Sequence, residues 1–199
     1  MSPEPTTHAE AADDGRRGFL KGAQAVTLSA AALALLGGCQ SMAAARGPGK
    51  ASDIATLNGA LGLEHEAIGI YQLAAESQLL TPGVLKTAVL FQSHHKGHRD
   101  ALAATIAQLG GSPVEARTQA FYKQRIAQHP LRNQRDVLEL AFKLEGIAAN
   151  AYIGAIPKLG DPTLAKVAGR LVADETMHWT FFATALHKPL PAAALSFEG

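Results

Sequence analysis

Apolar residues recur along this chain at three- and four-residue steps, as in Leu57, Leu61, Ile68 and Tyr71, and the stretches that carry them are separated by proline and glycine signals. That spacing predicts helices rather than strands. The first helix starts near Ser52 or Asp53, either of which can cap its opening amides, and runs to about Leu79. Thr81-Pro82, a capping hydroxyl followed by proline at the first helical position, opens a second helix that stops near Leu109 at Gly110-Gly111-Ser112-Pro113. A third runs from about Asn133 or Asp136 to Leu159 and tolerates Pro157 in its last turn. Asp161-Pro162 repeats the cap-plus-proline device and opens a fourth, free of internal proline from Thr163 to Leu186. With only about two or three residues between them, the first two helices must be antiparallel neighbours. Residues 112–135, polar and basic with Pro113 and Pro130, hold at most a short helix around Ala116 to Ala127. The fold class expected is all-α, and four helices of about 25 residues would each span roughly 37 Å.

Charged residues interrupt these apolar stripes at corresponding places. Glu64 lies among Leu61, Leu63 and Ile68, and Glu145 among Phe142, Leu144 and Ile147. A carboxylate in a bundle core is unfavourable unless it is paired or metal-bound. Leu57, Leu61, Glu64 and Tyr71 are answered about 81 residues later by Leu138, Phe142, Glu145 and Tyr152, which makes an internal repeat. In the fourth helix Glu175 and His178 stand three residues apart, on one face. Their counterpart in the second helix is Gln92-Ser93-His94-His95-Lys96-Gly97-His98, where His98 answers His178 and His95 takes the place of the glutamate. Taken singly, these are residues for surface ion pairs or a solvated face; the repeat and the two x-x-His units turn the reading toward metal ligation. His65 and Glu66 compete with Glu64, but only Glu64 has the alanine three later and the tyrosine seven later that Glu145 shares. His94, four before His98, is also within reach, so the choice between His94 and His95 as a ligand stays open.

A helix pair used twice, with one glutamate on the first helix and an x-x-His unit on the second, resembles the ferritin-like superfamily, rubrerythrin-like and related bacterial ferritin-like domains in particular. The resemblance covers Asp53 to Leu186. It implies an antiparallel four-helix bundle of ferritin-like type, with residues 112–135 as a long crossover that sets the third helix parallel to the second. It also implies a centre of two iron or manganese ions, with zinc or copper as competitors, held by Glu64, His95, His98, Glu145, Glu175 and His178, with Glu64 and Glu145 bridging. His95 departs from the family pattern, which has glutamate there, and gives a set of three glutamates and three histidines. Tyr71 and Tyr152 are expected as packed aromatics whose hydroxyls reach the ligands, and Asp174, four before His178, as the group that orients its free imidazole N–H. The implied chemistry is metal-centred electron transfer with oxygen or peroxide, which does not separate an oxidase, a peroxidase and a catalase-like oxidoreductase. A second reading is a non-enzymatic ferritin-like protein of the envelope or of stress, with a weak or lost metal site.

Composition narrows the setting. A formal net charge of +1 over 199 residues argues against a nucleic-acid partner, and a single cysteine excludes an intramolecular disulfide. Residues 1–15 are polar and acidic; Arg16-Arg17-Gly18-Phe19-Leu20-Lys21 then precedes a mainly apolar run from Ala23 to Leu36. That run is short for a membrane span, and its basic front resembles a twin-arginine export signal, against the alternative of an ordinary secretory signal with a chance arginine pair. Leu36-Gly37-Gly38-Cys39 resembles a lipoprotein box with Cys39 as the lipidated residue, and a plain cleavage site at Ala43-Ala44-Ala45 competes with it. The expected organisation is a signal peptide over 1–39, a flexible tether over 40–52, the bundle over 53–187 and an extended tail over 188–199. It places the protein in the periplasm or cell envelope. The partners expected are metal ions, oxygen or peroxide, the membrane through a lipid on Cys39, and a second copy of the chain in a homodimer.

Overall fold

The computed structural model describes residues 49–197, so the expectations that fall on Arg16, Arg17, Cys39 and residues 40–48 of the tether lie outside the described residues, while residues 50–52, expected as tether, are helical. The elements are α1 (Lys50–Glu76), α2 (Pro82–Gln108), the short α3 (Gln119–Arg125), α4 (Gln134–Ala155), a 3₁₀ turn (Ile156–Lys158) and α5 (Pro162–Ala185). Among the described residues there is no strand, and the fold is all-α. α1 packs along α2, α4 packs along α5, and the two pairs meet through α1 and α4. The long connection between α2 and α4 carries α3 over α1, where Tyr122 seats on Gly69.

Three helices begin as local chemistry dictates. Asn133 accepts the Asp136 amide at the start of α4, Asp161 accepts that of Thr163 at the start of α5, and Thr118 accepts that of Phe121 at the start of α3. The other two differ from expectation. α1 begins at Lys50 on Gly49 without a side-chain cap, because Asp53 is buried and its Oδ1 accepts the amide of Gly160 at 2.8 Å. The Thr81 hydroxyl does not cap α2 either; the Thr81 amide donates to Gln134 Oε1 at 2.8 Å and ties the α1–α2 turn to the start of α4. That turn is longer than expected, with Gln78 at a φ of 60° ending the first helix early. α4 stops at Ala155 because Pro157 draws the chain into the tighter 3₁₀ turn.

Two apolar clusters lie at opposite ends of the bundle. One holds Leu57, Leu61, Leu102, Ile106, Tyr152, Leu164 and Leu171, the other Tyr71, Ala88, Phe91, Leu138, Phe182 and Leu186. On every long helix the residues between these sets are the polar ones: Glu64, His95, His98, Glu145, Glu175 and His178, none more than 8% exposed. A third cluster, Ile70, Tyr122, Ile126 and Leu140, fixes α3 against α1 and α4.

A methyl group at Gly69 would fall on the Tyr122 ring inside van der Waals contact, while one at Gly59 would meet open space. Gly69→Ala is therefore expected to destabilise by about 1–3 kcal/mol through overpacking, against the gain in helix propensity. Gly59→Ala is expected to be neutral or slightly stabilising. Urea midpoints of the two variants check this; equal shifts would mean that α3 is not anchored by this contact.

Candidate metal centre

Each long helix delivers its share of the polar layer through its own register. α1 brings Glu64, α2 brings His95 and His98, α4 brings Glu145, and α5 brings Glu175 and His178. The residues assemble into two groups, Glu64/His95/His98/Glu175 and His95/Glu145/Glu175/His178, with one donor atom from each residue within 4.8 Å of the others. Glu175 and His95 belong to both groups. The bridging role expected of Glu64 and Glu145 is thus not what the geometry offers: each sits in one group only, because Glu64 faces the two α2 histidines and Glu145 faces His178 and the far side of His95.

The donor atoms are closely set. His95 Nδ1 lies 2.8 Å from Glu64 Oε2 and its Nε2 lies 3.4 Å from Glu145 Oε1. His98 Nδ1 lies 3.4 Å from Glu64 Oε1 and 3.2 Å from Glu175 Oε1. His178 Nδ1 lies 3.2 Å from Glu145 Oε2 and 3.4 Å from Glu175 Oε2. With Nδ1 turned inward, the Nε2 atoms of these two histidines reach across to the neighbouring helix. His98 Nε2 meets Asp174 Oδ2 at 3.1 Å, and His178 Nε2 meets His94 Nδ1 at 2.9 Å. Asp174 therefore orients His98, not His178 on its own helix, and His94 stands behind His178 instead of joining either group. The tyrosines cross in the same way: the Tyr71 hydroxyl donates to Glu145 and that of Tyr152 to Glu64, each serving the glutamate of the other repeat. Phe91, which the sequence reading did not single out, stacks on His178 with ring centroids 4.1 Å apart. Its only sequence signal is its place on the apolar stripe one turn before His95.

Burial raises carboxyl pKa values and lowers those of imidazoles, so the direction of each shift tells which effect prevails. For Glu64 burial is outweighed by hydrogen bonds and positive charge from His95 and His98, which hold it at about 2. Glu145 is likewise held below the usual carboxylate range, against burial, by His178 and His95. Burial prevails at Glu175, whose pKa is raised. Burial also opposes protonation of His98, but its contacts with Glu175 and Glu64 push it up to about 10. His95 and His178 rise for the same reason, through Glu145 with Glu64 and Glu145 with Glu175 respectively. Burial and the adjoining carboxylates raise both tyrosines, and burial with the nearby His178 lowers His94.

The layer is nonetheless incomplete as a hydrogen-bond network. Both oxygens of Glu175, which is 0% exposed, and Nδ1 of His98 are buried without a hydrogen-bond partner. Burial of that carboxylate is compensated only through the imidazoles of His98 and His178, 3.2 and 3.4 Å away and poorly aligned for hydrogen bonds, and a metal cation would complete it. Carboxylate oxygen and imidazole nitrogen are donors suited to divalent iron, manganese and zinc, so the residues fit a metal centre. A cleft of about 310 Å³ between α1, α3 and α4 ends on His95 and Glu145, with Leu63, Ile70 and Leu144 in its walls. Lys143 and Arg125 stand at its mouth, Arg125 paired with Glu66 at 3.1 Å.

Four long helices around two carboxylate–imidazole groups that share His95 and Glu175 define a helical bundle with a buried polar layer that could hold metal ions. The chain belongs to the ferritin-like domain family, whose model matches residues 52–188. Its fold is similar to that of Rhodobacter capsulatus bacterioferritin, described with a metal-free dinuclear site and heme iron: 27% identity, TM-score 0.58, covering 70% of this chain and 86% of that one. It is also similar to Desulfovibrio desulfuricans bacterioferritin, described with a diiron site: 20% identity, TM-score 0.57, covering 69% and 80%. A ferritin-like, diiron-carboxylate protein of Bacillus anthracis shares the fold at 22% identity and TM-score 0.57, covering 69% and 96%. No curated protein matches the chain.

The pKa shifts set a pH dependence for the metal-free protein. His98, raised from 6.5 to about 10, stabilises the fold fully below pH 6.5, and that contribution is lost as pH rises through about 10. Glu64, lowered from 4.5 to about 2, contributes above pH 4.5 and loses its contribution as pH falls toward 2. Metal-free protein is expected to melt highest between pH 4.5 and 6.5 and progressively lower toward pH 10, followed by circular dichroism. His98→Ala should flatten the alkaline slope. A wild-type melting temperature unchanged from pH 6.5 to 10 would show that the cluster is not charged as described.

Proposed function

We propose that this protein holds two iron or manganese ions in the buried Glu/His layer and uses them in redox chemistry with oxygen or peroxide, outside the cytoplasm. The observation that carries the reading is Glu175, fully buried, with neither oxygen in a hydrogen bond and one oxygen directed at each donor group, toward His98 at 3.2 Å and His178 at 3.4 Å. The diiron proteins that share the fold support it. Bound at this layer, a pair of ions would supply the electron-transfer and Lewis-acid chemistry that these side chains lack.

The chain's own residues would do the rest. Glu64, His98 and Glu175 are placed to hold one ion, and Glu145, His178 and Glu175 the other, with His95 between them. Asp174 and His94 fix the ring orientations of His98 and His178 from behind, which keeps the inward nitrogens aimed at the centre. The Tyr71 and Tyr152 hydroxyls each occupy one carboxylate oxygen and restrict how Glu145 and Glu64 can rotate. Phe91 excludes water from the face of His178. The cleft that reaches His95 and Glu145 offers a small oxidant the approach, between apolar Leu63, Ile70 and Leu144 and the polar Glu66, Arg125 and Lys143. The arginine pair of the leader and Cys39 support export and attachment to a membrane, which would put this chemistry in the cell envelope.

The imidazole at 95 favours the alternative of a non-enzymatic envelope protein with weak metal binding, and metal content decides between them. Protein recovered untagged from its native compartment is expected to carry about two ions per chain. Chelation should lower its melting temperature, since an ion at a hundred times its Kd stabilises by about 2.7 kcal/mol. Glu175→Ala should abolish both effects. Less than about a tenth of an ion per chain, with no response to chelation, would contradict the proposal. For the attachment, Cys39→Ala should move the protein from the membrane to the soluble fraction; unchanged fractionation would favour cleavage at Ala43-Ala44-Ala45.

A further inference from the structure

The internal repeat pairs Glu64 with Glu145, Tyr71 with Tyr152, His98 with His178, His95 with Glu175 and His94 with Asp174. The first three pairs match in kind. The last two put an imidazole on α2 where α5 has a carboxylate, and one of them, His95/Glu175, is the pair common to both donor groups. The symmetry is broken where the two ion positions join.

A carboxylate can serve both positions, and Glu175 is turned to do so, with Oε1 3.2 Å from His98 Nδ1 and Oε2 3.4 Å from His178 Nδ1. A neutral imidazole has one lone pair to give. The nitrogens of His95 face different sides, so the position of its proton decides which side it serves. At 2.8 Å from Glu64 Oε2, Nδ1 is placed to donate a charge-assisted hydrogen bond, whereas Nε2 at 3.4 Å from Glu145 Oε1 would donate a poor one. In the neutral ring that would bind an ion, the lone pair then lies on Nε2, facing Glu145. Donor spacing agrees. Ligands about 2.1 Å from a tetrahedral ion stand about 3.4 Å apart. On the Glu145 side the spacings, His95 included, are 3.4, 3.2 and 3.4 Å; on the Glu64 side those among Glu64, His98 and Glu175 are 3.4 and 3.2 Å, and only the two that involve His95 depart, at 2.8 and 3.7 Å.

We infer that the two ion positions are unequal: Glu145, Glu175, His178 and Nε2 of His95 form a complete four-ligand cage, while Glu64, Glu175 and His98 form a three-ligand position. The inference rests on the metal reading of the centre. The caged position takes a divalent transition ion first and keeps it. The three-ligand position fills second, exchanges faster and has room for a non-protein ligand, as open zinc-type sites do.

Titration of the metal-stripped full protein with Co(II), read by calorimetry and visible absorption, tests this. The wild type is expected to bind in two steps at least about tenfold apart in Kd, the first giving the intense visible bands of a four-coordinate ion. Glu64→Gln and His98→Ala should each remove the second step and keep the first. Glu145→Gln should remove the first, and His95→Ala should weaken the first at least about tenfold while leaving the second. Circular dichroism establishes that each variant is folded, and His98→Ala carries the test should Glu64→Gln fail to fold. Two equal steps in the wild type, or loss of the tighter step in Glu64→Gln and His98→Ala, would overturn the inference and leave the metal reading standing. No Co(II) binding at all would sink both.

Discussion

Three carboxylates and three imidazoles share one layer in the middle of the bundle, none of them more than 8% exposed, and the fold is arranged around keeping them there. Such a layer is not a source of stability in itself. Buried ionic groups are often matched or bettered by apolar packing of the same volume, so their presence calls for a reason other than holding helices together. Here the two apolar clusters, one at each end, do the holding, and the layer between them gives up packing that leucines could supply. The adjoining histidines hold the pKa values of Glu64 and Glu145 down, and the tyrosines hydrogen-bond both. Glu175 has less support: His98 and His178 lie 3.2 and 3.4 Å from its oxygens, but neither oxygen has a well-formed hydrogen bond, no tyrosine reaches it, and burial prevails in raising its pKa. That imbalance is what a pair of cations would correct.

Much of the architecture could be read from the sequence because it is locally encoded. The caps at Asn133 and Asp161, the prolines at 82 and 162 and the stop at Gly110 act within a few residues of themselves, and the helices they predict form within a few residues of the expected bounds. Asp53 and Thr81 misled for the opposite reason. Each is a good local cap, but the Asp53 side chain is taken by the Gly160 amide and the Thr81 amide by Gln134, partners more than 50 residues away. The six polar residues of the layer were visible through the repeat. Their relations were not. Which residue is shared, which aspartate orients which histidine, and which tyrosine serves which glutamate all depend on how the helices are set against one another, and sequence spacing reports only what happens along one helix.

The likeness to bacterioferritins carries the fold at 20% and 27% identity, and the donor set has to be read from this chain itself. Read that way, the repeat is the informative feature. Two helix pairs built on one plan would make two equivalent ion positions, and among the donor residues and the groups behind them the mismatches are His94 and His95 of α2 opposite Asp174 and Glu175 of α5. On the proposed metal reading, one changed residue at the shared position would alter charge, bridging capacity and the number of ligands on each side together.

Anomalous diffraction at the absorption edge of the bound metal, from crystals of the native protein, addresses the central claim most directly. Two peaks inside the layer, flanking Glu175, with Glu64 and His98 beside one and Glu145 and His178 beside the other, are the result expected. A layer without an anomalous peak, in which Glu175 is completed by water or by protein groups alone, would contradict it.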